Sequence, residues 1–386
     1  MARQRRVAVM IDLAWSYKYH VEVYAGCHQY AAEARWDCTN NQFADQAIEP
    51  QRGGSPYDGI LGRIDRKAAD KAKLAGVPVV NVWMNSPARS ALPNVFADFE
   101  AVGVMAARHL LGRGFRQFGF MGHLRDVSTR LHLKGFRSEL KASGLSCSTH
   151  RFPADDPYRA RTWGAFAASL AAWVDTLTTP IGICTTHDLD SRFVIDVCRS
   201  KGLNVPQDVA IIGAGNEDVI CASPPPTLTS IDLNCTQIGY QAAEMLDRLM
   251  DGERPPTEPL LIPPSELVPR ESTDSYAVDD SVVARALRFI AEHGHEPITV
   301  DDVVAATPTS RRSLERRFQK AMRRTISEEI TRLRLERAKR RVVESDDALK
   351  NVAADAGFSS LNHFYRAFVR LEGISPKEYR KQRRQD

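Results

Sequence analysis

Twice within its last hundred residues the chain carries a short capped helix, a break, and a longer helix with one apolar stripe, and a single uninterrupted helical pattern joins the two copies. Apolar residues that recur every three to four positions cannot form one face of a strand, so this region is committed to helices. The first copy occupies about 299–322. Thr299 caps a helix from Val300 to about Ala306, with Asp302 at the third position, where the helix dipole favours it. Thr307, Pro308 and Thr309 break the pattern, and Ser310 caps the next helix. In RRSLERRFQKAM, Leu314, Phe318 and Ala321 share one face, with Arg312, Arg316, Gln319 and Arg323 opposite.

The second copy occupies about 346–371. Ser345 or Asp346 caps a helix through Ala356, and Gly357 supplies the turn. Phe364, Phe368 and Leu371 form the stripe of the following helix, which presents Asn362, His363 and Arg366 outward. A closing helix begins at Ser375, with Pro376 in its first turn and Glu378 completing a capping box. Thr325 and Glu328 make the same box for the connector, Ile326 to Glu344. At ~1.5 Å per residue its 19 residues span about 28 Å, close to the ~34 Å repeat of a DNA duplex.

Charge points to the same partner. Residues 281–386 hold 23 Lys and Arg against 15 Asp and Glu, a net of +8, while residues 1–280 hold 29 against 33, a net of −4. The modest whole-chain balance of +4 hides a basic module joined to an acidic one, and a phosphate backbone suits the basic half.

Before residue 275 short β-rich runs alternate with amphipathic helices. RVAVMI, DGILGRI, VPVVNV, NVFADF, FRQFGFMG, PIGICTT and DVAIIGAG read as strands, and the segments between them as helices. This alternation predicts parallel sheets with helices on both faces, in two lobes. The first crossing between lobes is expected near Arg113, and the return through TLTSID and the helix Ile238–Met250. A ligand would sit between lobes at the carboxyl ends of the strands. The Pro-rich stretch Pro255–Pro269 ends this half, which spans 1–273, and 274–281 reads as a linker to a domain at 282–386. The seven cysteines show no CxxC pairing, which suggests a reducing cytoplasm. No segment approaches membrane length, and the apolar run Val7–Ile11 after the basic cluster Arg3–Arg6 is too short for a signal peptide.

SRRSLERRF, the LERA of the connector, AADAGFSSLNHFYRAF and GISPKEYR resemble the AraC family of transcription regulators from Val282 to about Arg384. The resemblance implies that Arg312, Glu315 and Arg316 in the first unit, and Leu361, Asn362, His363 and Arg366 in the second, face DNA bases. Their chemistry suits major-groove readout. Pro308 stands where that family often carries Gly. GVPVVNV, VFADFEAVG, STRLHLKGF, VPQDVAIIGAGN and ELVPREST are similar to LacI and ribose-binding-protein effector domains, across Val7–Thr273. This likeness implies effector contacts at Tyr17, Asp98, His132, Asp188 and Asn216. At two positions the chain departs from the pattern: His132 replaces the usual Arg, and Gly215 the usual Asp.

The expected architecture is therefore an α/β, two-lobed, periplasmic-binding-protein-like domain followed by an all-α double helix-turn-helix domain. The two resemblances together imply effector-controlled, sequence-specific DNA binding that activates carbohydrate catabolism genes, with xylose or a related sugar as effector. Its partners would be double-stranded DNA, the sugar, a second copy of the chain and RNA polymerase, with no membrane, cofactor, metal or catalytic residue. His187, Asp188 and Asp190 resemble metal ligands only superficially, since a helix start accounts for them. Two alternatives stand beside this reading: a sugar-binding protein whose basic tail is a nonspecific DNA anchor, and an alkyl-transfer repair protein carrying an AraC module. The paired capped helices argue against the first, and the missing zinc-spaced cysteines against the second.

Overall fold

The computed structural model describes residues 4–14, 17–49, 54–150, 152, 159–278, 280–345 and 347–385. The chain separates into two compact units, one of Met1–Gly112 and Arg116–Ser275, the other of Arg113–Phe115 and Tyr276–Asp386.

The first unit begins with β1 (Arg6–Met10), α1 (Lys18–Glu33), β2 (Asp37–Asn40), β3 (Gly59–Gly62), α2 (Arg66–Ala75), β4 (Val79–Asn81) and β5 (Val95–Ala97). It continues with α3 (Phe99–Gly112), β6 (Gln117–Met121), α4 (Val127–Ala142), β7 (Ser148–His150), α5 (Ala160–Asp175), β8 (Ile181–Thr185) and α6 (Asp188–Ser200). It closes with β9 (Val209–Ala214), α7 (Asp218–Ala222), β10 (Thr229–Asp232), α8 (Cys235–Met250), β11 (Leu260–Ile262) and β12 (Glu266–Val268).

Two sheets form two lobes. The first has the parallel order β2-β1-β3-β4, and a bridge between Asn81 and Asn94 carries it on to the pair β5-β11. The second has the order β12-β10-β9-β8-β6-β7, in which only β12 runs antiparallel. Strands such as Ile181–Thr185 and Val209–Ala214 are buried along their whole length, as expected where helices cover both faces.

Lobe membership differs from the sequence expectation at two points. Helix α3 packs in lobe two: Gly103 lies where a Cβ would stand 2.0 Å from the His132 carbonyl, and Gly135 where one would stand 1.9 Å from that of Glu100. The first crossing is therefore at Asp98, not Arg113. The TLTSID strand, β10, pairs with β9 and also belongs to lobe two, so the chain returns to lobe one only at Asn234. The Pro-rich stretch is not simply an ending either, since it holds β11 in lobe one and β12 back in lobe two. In lobe one the same close crossing joins α1 and α8, where a Cβ on Gly26 or Gly239 would lie 1.9 Å from a backbone carbonyl of the other helix. Close approach explains these four glycines better than any turn does.

The second unit is helical: α9 (Ser281–His293), α10 (Val300–Ala305), α11 (Arg311–Met322), α12 (Ile326–Glu344), α13 (Leu349–Asp355), α14 (Leu361–Glu372) and α15 (Pro376–Gln385). Thr299 with Asp302 and Thr325 with Glu328 form the expected capping boxes, and Ser375 with Glu378 makes the reciprocal pair of bonds that opens α15. The cap expected before α13 is not formed by Ser345, which ends α12 instead; α13 starts after Ala348, and Asp346 lies outside the described residues. Two apolar clusters share α12. Ile326 and Ile330 join Leu314, Phe318 and Met322, while Leu335, Ala338 and Val342 join Val352, Phe358, Phe364 and Phe368. Leu371, expected in the same stripe, is 46% exposed and lies outside that second core.

Candidate functional site: an interlobe cleft and a nucleic-acid interface

In lobe one, the carboxyl ends of β1, β3 and β4 present Asp12, Arg63, Trp83 and Asn85. The Arg63 guanidinium lies 4.6 Å over the Trp83 ring and 3.2 Å from His20 Nε2, while His20 Nδ1 meets the Asp12 carbonyl at 2.9 Å. Burial, assisted by Arg63, holds the His20 imidazole below its usual range. Tyr17, at the start of α1, is 37% exposed and edge-on to His20 at 6.5 Å. Asp98 stands at the first crossing, where its carboxylate accepts from Ala101 N–H at 2.9 Å and opens α3.

In lobe two, the turn after β9 is held from below by Asp188. One carboxylate oxygen accepts from Glu217 N–H at 2.8 Å and the other from the Ser230 hydroxyl at 2.6 Å. Asp188 is 1% exposed, and burial raises its carboxyl above the usual range. His187, not Asp188, occupies the N-cap of α6. Asn216 adopts positive φ, +51°, a conformation asparagine tolerates. Its side-chain amide donates to Asp232 at 3.3 Å and accepts from Arg270 at 2.8 Å. Ser230 also takes the Asn216 N–H at 3.0 Å, so Asp188 and Asn216 form one network. Lys18 Nζ, donating to the Asn216 carbonyl at 3.1 Å, brings Tyr17's end of α1 to the same network.

His132 is not brought to this network. It is 1% exposed, set edge-on to Phe120 at 5.6 Å and 3.4 Å from the Cys184 thiol, and burial pushes its pKa down to about 3. The imidazole packs into the core of lobe two. Gly215, at φ +120°, sits against Asp188 and Glu217, whose Oδ2 and Cγ would lie 3.4 and 3.7 Å from an added Cβ. The sequence reading missed Arg63, Trp83, Asn85, Lys18 and Glu217. For Arg63, Trp83, Asn85 and Glu217 a position shortly after a strand was the available signal, while Lys18 opens α1. Among the described residues no group of three or more His, Cys, Asp or Glu could hold a metal, and no helix is long and apolar enough to cross a membrane.

In the helical unit, Arg312 and Arg316 on α11, and Leu361, Asn362 and Arg366 on α14, are all exposed. Glu315 is engaged by Arg311 at 2.9 Å, and Arg311 also reaches Asp301 at 2.7 Å. His363 is half-buried and edge-on to Phe358 at 5.5 Å; burial, then the positive charges of Arg366, Arg334 and Arg370, keep it below its usual pKa. Both helices thus offer outward hydrogen-bonding side chains from an anchored apolar face, the arrangement of a major-groove reader.

Residues 107–273 match the periplasmic binding protein-like domain, and 303–382 the helix-turn-helix domain. The chain is a DNA-binding transcription regulator with a periplasmic-binding-protein-like effector domain ahead of an AraC-type helix-turn-helix domain. It is XylR-like along nearly its whole length. The xylose operon regulatory protein of Escherichia coli strain K12 is 27% identical over 98% of this chain and 97% of its own. That of Haemophilus influenzae is 27% identical over 94% and 95%. A solved structure described as the xylose-binding transcription activator XylR has a TM-score of 0.61 at 25% identity, covering 99% of both chains.

Proposed function

We propose that this chain is a sugar-controlled transcriptional activator of carbohydrate catabolism genes. The observation that carries the reading is the joining, in one chain, of a two-lobed cleft and a pair of recognition helices, and this chain aligns nearly end to end with the xylose operon regulators. On the DNA side, Arg312, Arg316 and Arg366 grip guanine O6 and N7, Asn362 pairs with adenine, and Leu361 covers a thymine methyl. Glu315 accepts from cytosine once Arg311 turns to a phosphate, and neutral His363 offers one donor and one acceptor. On the effector side, Tyr17 supplies a ring face, and Asp98 and Asn216 pair hydroxyls. Asp188 fixes the turn that carries Asn216, and His132 acts only from behind the cleft.

Two copies of the chain present their helix-turn-helix units to adjacent half-sites in the cytoplasm, and the bound dimer recruits RNA polymerase. Effector control requires that the sugar bind one lobe arrangement better than another. Xylose or a related aldose is the effector class. The test is thermal unfolding of the full chain against pentoses, hexoses and their acids. A ligand at about 100 times its dissociation constant adds ~2.7 kcal/mol to the effector domain's stability. A selective shift with an aldose supports the reading, and a flat panel overturns the sugar assignment while leaving DNA binding intact.

A further inference from the structure

Two helices that open onto the cleft lack a cap of their own. Helix α1 follows Tyr17, which makes no side-chain cap bond, and has no acidic residue in its first turn. Helix α4 follows Asp126, whose side chain makes no cap bond either and instead lies 3.7 Å from His123; its first turn is equally free of acids. The first N–H groups of a helix need partners, and the dipole there favours negative charge. For both helices the partner comes from the opposite lobe. The Glu217 carboxylate, on the turn after β9 in lobe two, accepts from Lys18 N–H at 2.9 and 3.1 Å. The Asn85 side-chain oxygen, after β4 in lobe one, accepts from Val127 N–H at 2.8 Å.

The two bridges lie at different places along the cleft. One joins the β1 side of lobe one to β9, the other joins β4 to β6, and in each sheet one strand separates them: β3 in lobe one and β8 in lobe two. Arg63, which follows β3, and Thr186, which follows β8, therefore lie between the bridges along each sheet. Lys18 strengthens the first bridge through its ammonium, 3.4 Å from Asp232 at the second crossing and 3.9 Å from Asp218.

We infer that Glu217 and Asn85 are positioning residues that hold the two lobes together by reciprocal helix capping across the cleft. Each lobe completes a helix of the other, so opening exposes two helix ends at once, and the two caps act as one latch. Closure is thereby biased by groups of the chain itself, through the helix ends that Glu217 and Asn85 cap. This inference does not depend on the effector's identity.

Amide hydrogen exchange of the full chain, resolved at Lys18 and Val127, tests the latch. If the caps act together, Glu217→Ala speeds exchange of the Val127 amide, which it does not touch, and Asn85→Ala speeds that of Lys18. Each increase is expected to be about fivefold, the change in open population that losing one ordinary cap produces. Glu217→Gln keeps an acceptor oxygen and returns Val127 toward the parent rate. If each substitution speeds only the amide it capped, the bridges are local caps and the latch is refuted. Should Glu217→Ala fail to fold, Asn85→Ala read at Lys18 makes the same decision alone.

Discussion

Replacing Arg334 with alanine tests how the helical unit holds its two halves to one connector. Arg334 lies on α12, is 6% exposed, and points its guanidinium at the loop between α9 and α10. It donates to the carbonyls of Glu296 and Ile298, both at 2.9 Å, and of Gly294 at 3.4 Å. From the other side Gly357 closes on it, where an added Cβ would meet Arg334 Nε at 3.0 Å. Two good charge-assisted bonds contribute roughly 1.5–3 kcal/mol each. Burial of the guanidinium, which depresses its pKa, offsets part of that. The net loss in Arg334→Ala is therefore expected to be about 2–4 kcal/mol, and Arg334→Lys should recover less than half, because both short bonds leave Nη2, farther out than a lysine ammonium reaches, and the Nε bond to Gly294 is lost as well. All five tryptophans precede residue 280, so in urea unfolding their fluorescence follows the first unit, while far-ultraviolet circular dichroism follows both. The expected shift is in the helical signal alone. A loss below about 0.5 kcal/mol, typical of an ordinary surface substitution, would refute this account of the bonds.

Arg316→Ala should weaken operator binding by about 1–3 kcal/mol and relax preference at one base pair; equal loss on operator and random DNA in a binding titration would reduce it to a phosphate contact. Asp188→Ala should leave the Glu217 N–H without its partner and cost the effector domain about 1–3 kcal/mol. It should abolish the effector response with DNA affinity largely kept, and a normal response in a reporter assay would count against the cleft assignment. Burial would raise Glu329, but Arg332 and Arg324 overcome it and hold the carboxyl below the usual glutamate range. Its stabilising effect is full above the ordinary glutamate pKa and lost as pH falls through the depressed one, so Glu329→Gln should flatten the acid limb of the helical unit's stability against pH.

The helical half was legible because its determinants are local. Thr299, Thr325 and Ser375 each bond a residue three positions on, and Phe318, Phe364 and Phe368 follow from the helical period. Leu371 fitted the same period, yet it remains exposed and lies outside the core. In the α/β half the elements were legible and their lobes were not. Nothing within α3 says that it will pack on α4, and β10 is assigned only by its pairing with β9. The cleft suffered most. Asp188 and Asn216 fall on recognisable turns, whereas Arg63, Asn85 and Glu217 owe their roles to partners 20 to 199 positions away. His132 shows the converse, a position legible by motif whose side chain packs elsewhere.

Because α12 contributes to both apolar clusters, the two recognition helices are fixed in angle as well as in distance. One residue inserted in its middle would lengthen the connector by only ~1.5 Å but rotate the second reader by about 100°. The two helices would then face different sides of the duplex, and no adjustment of operator spacing could restore both. About eighteen inserted residues, five full turns, would bring the faces back into phase at some 27 Å of extra reach. The connector thus acts as a rotational key, and operators can drift in sequence far more freely than in the phase between their two contact sites.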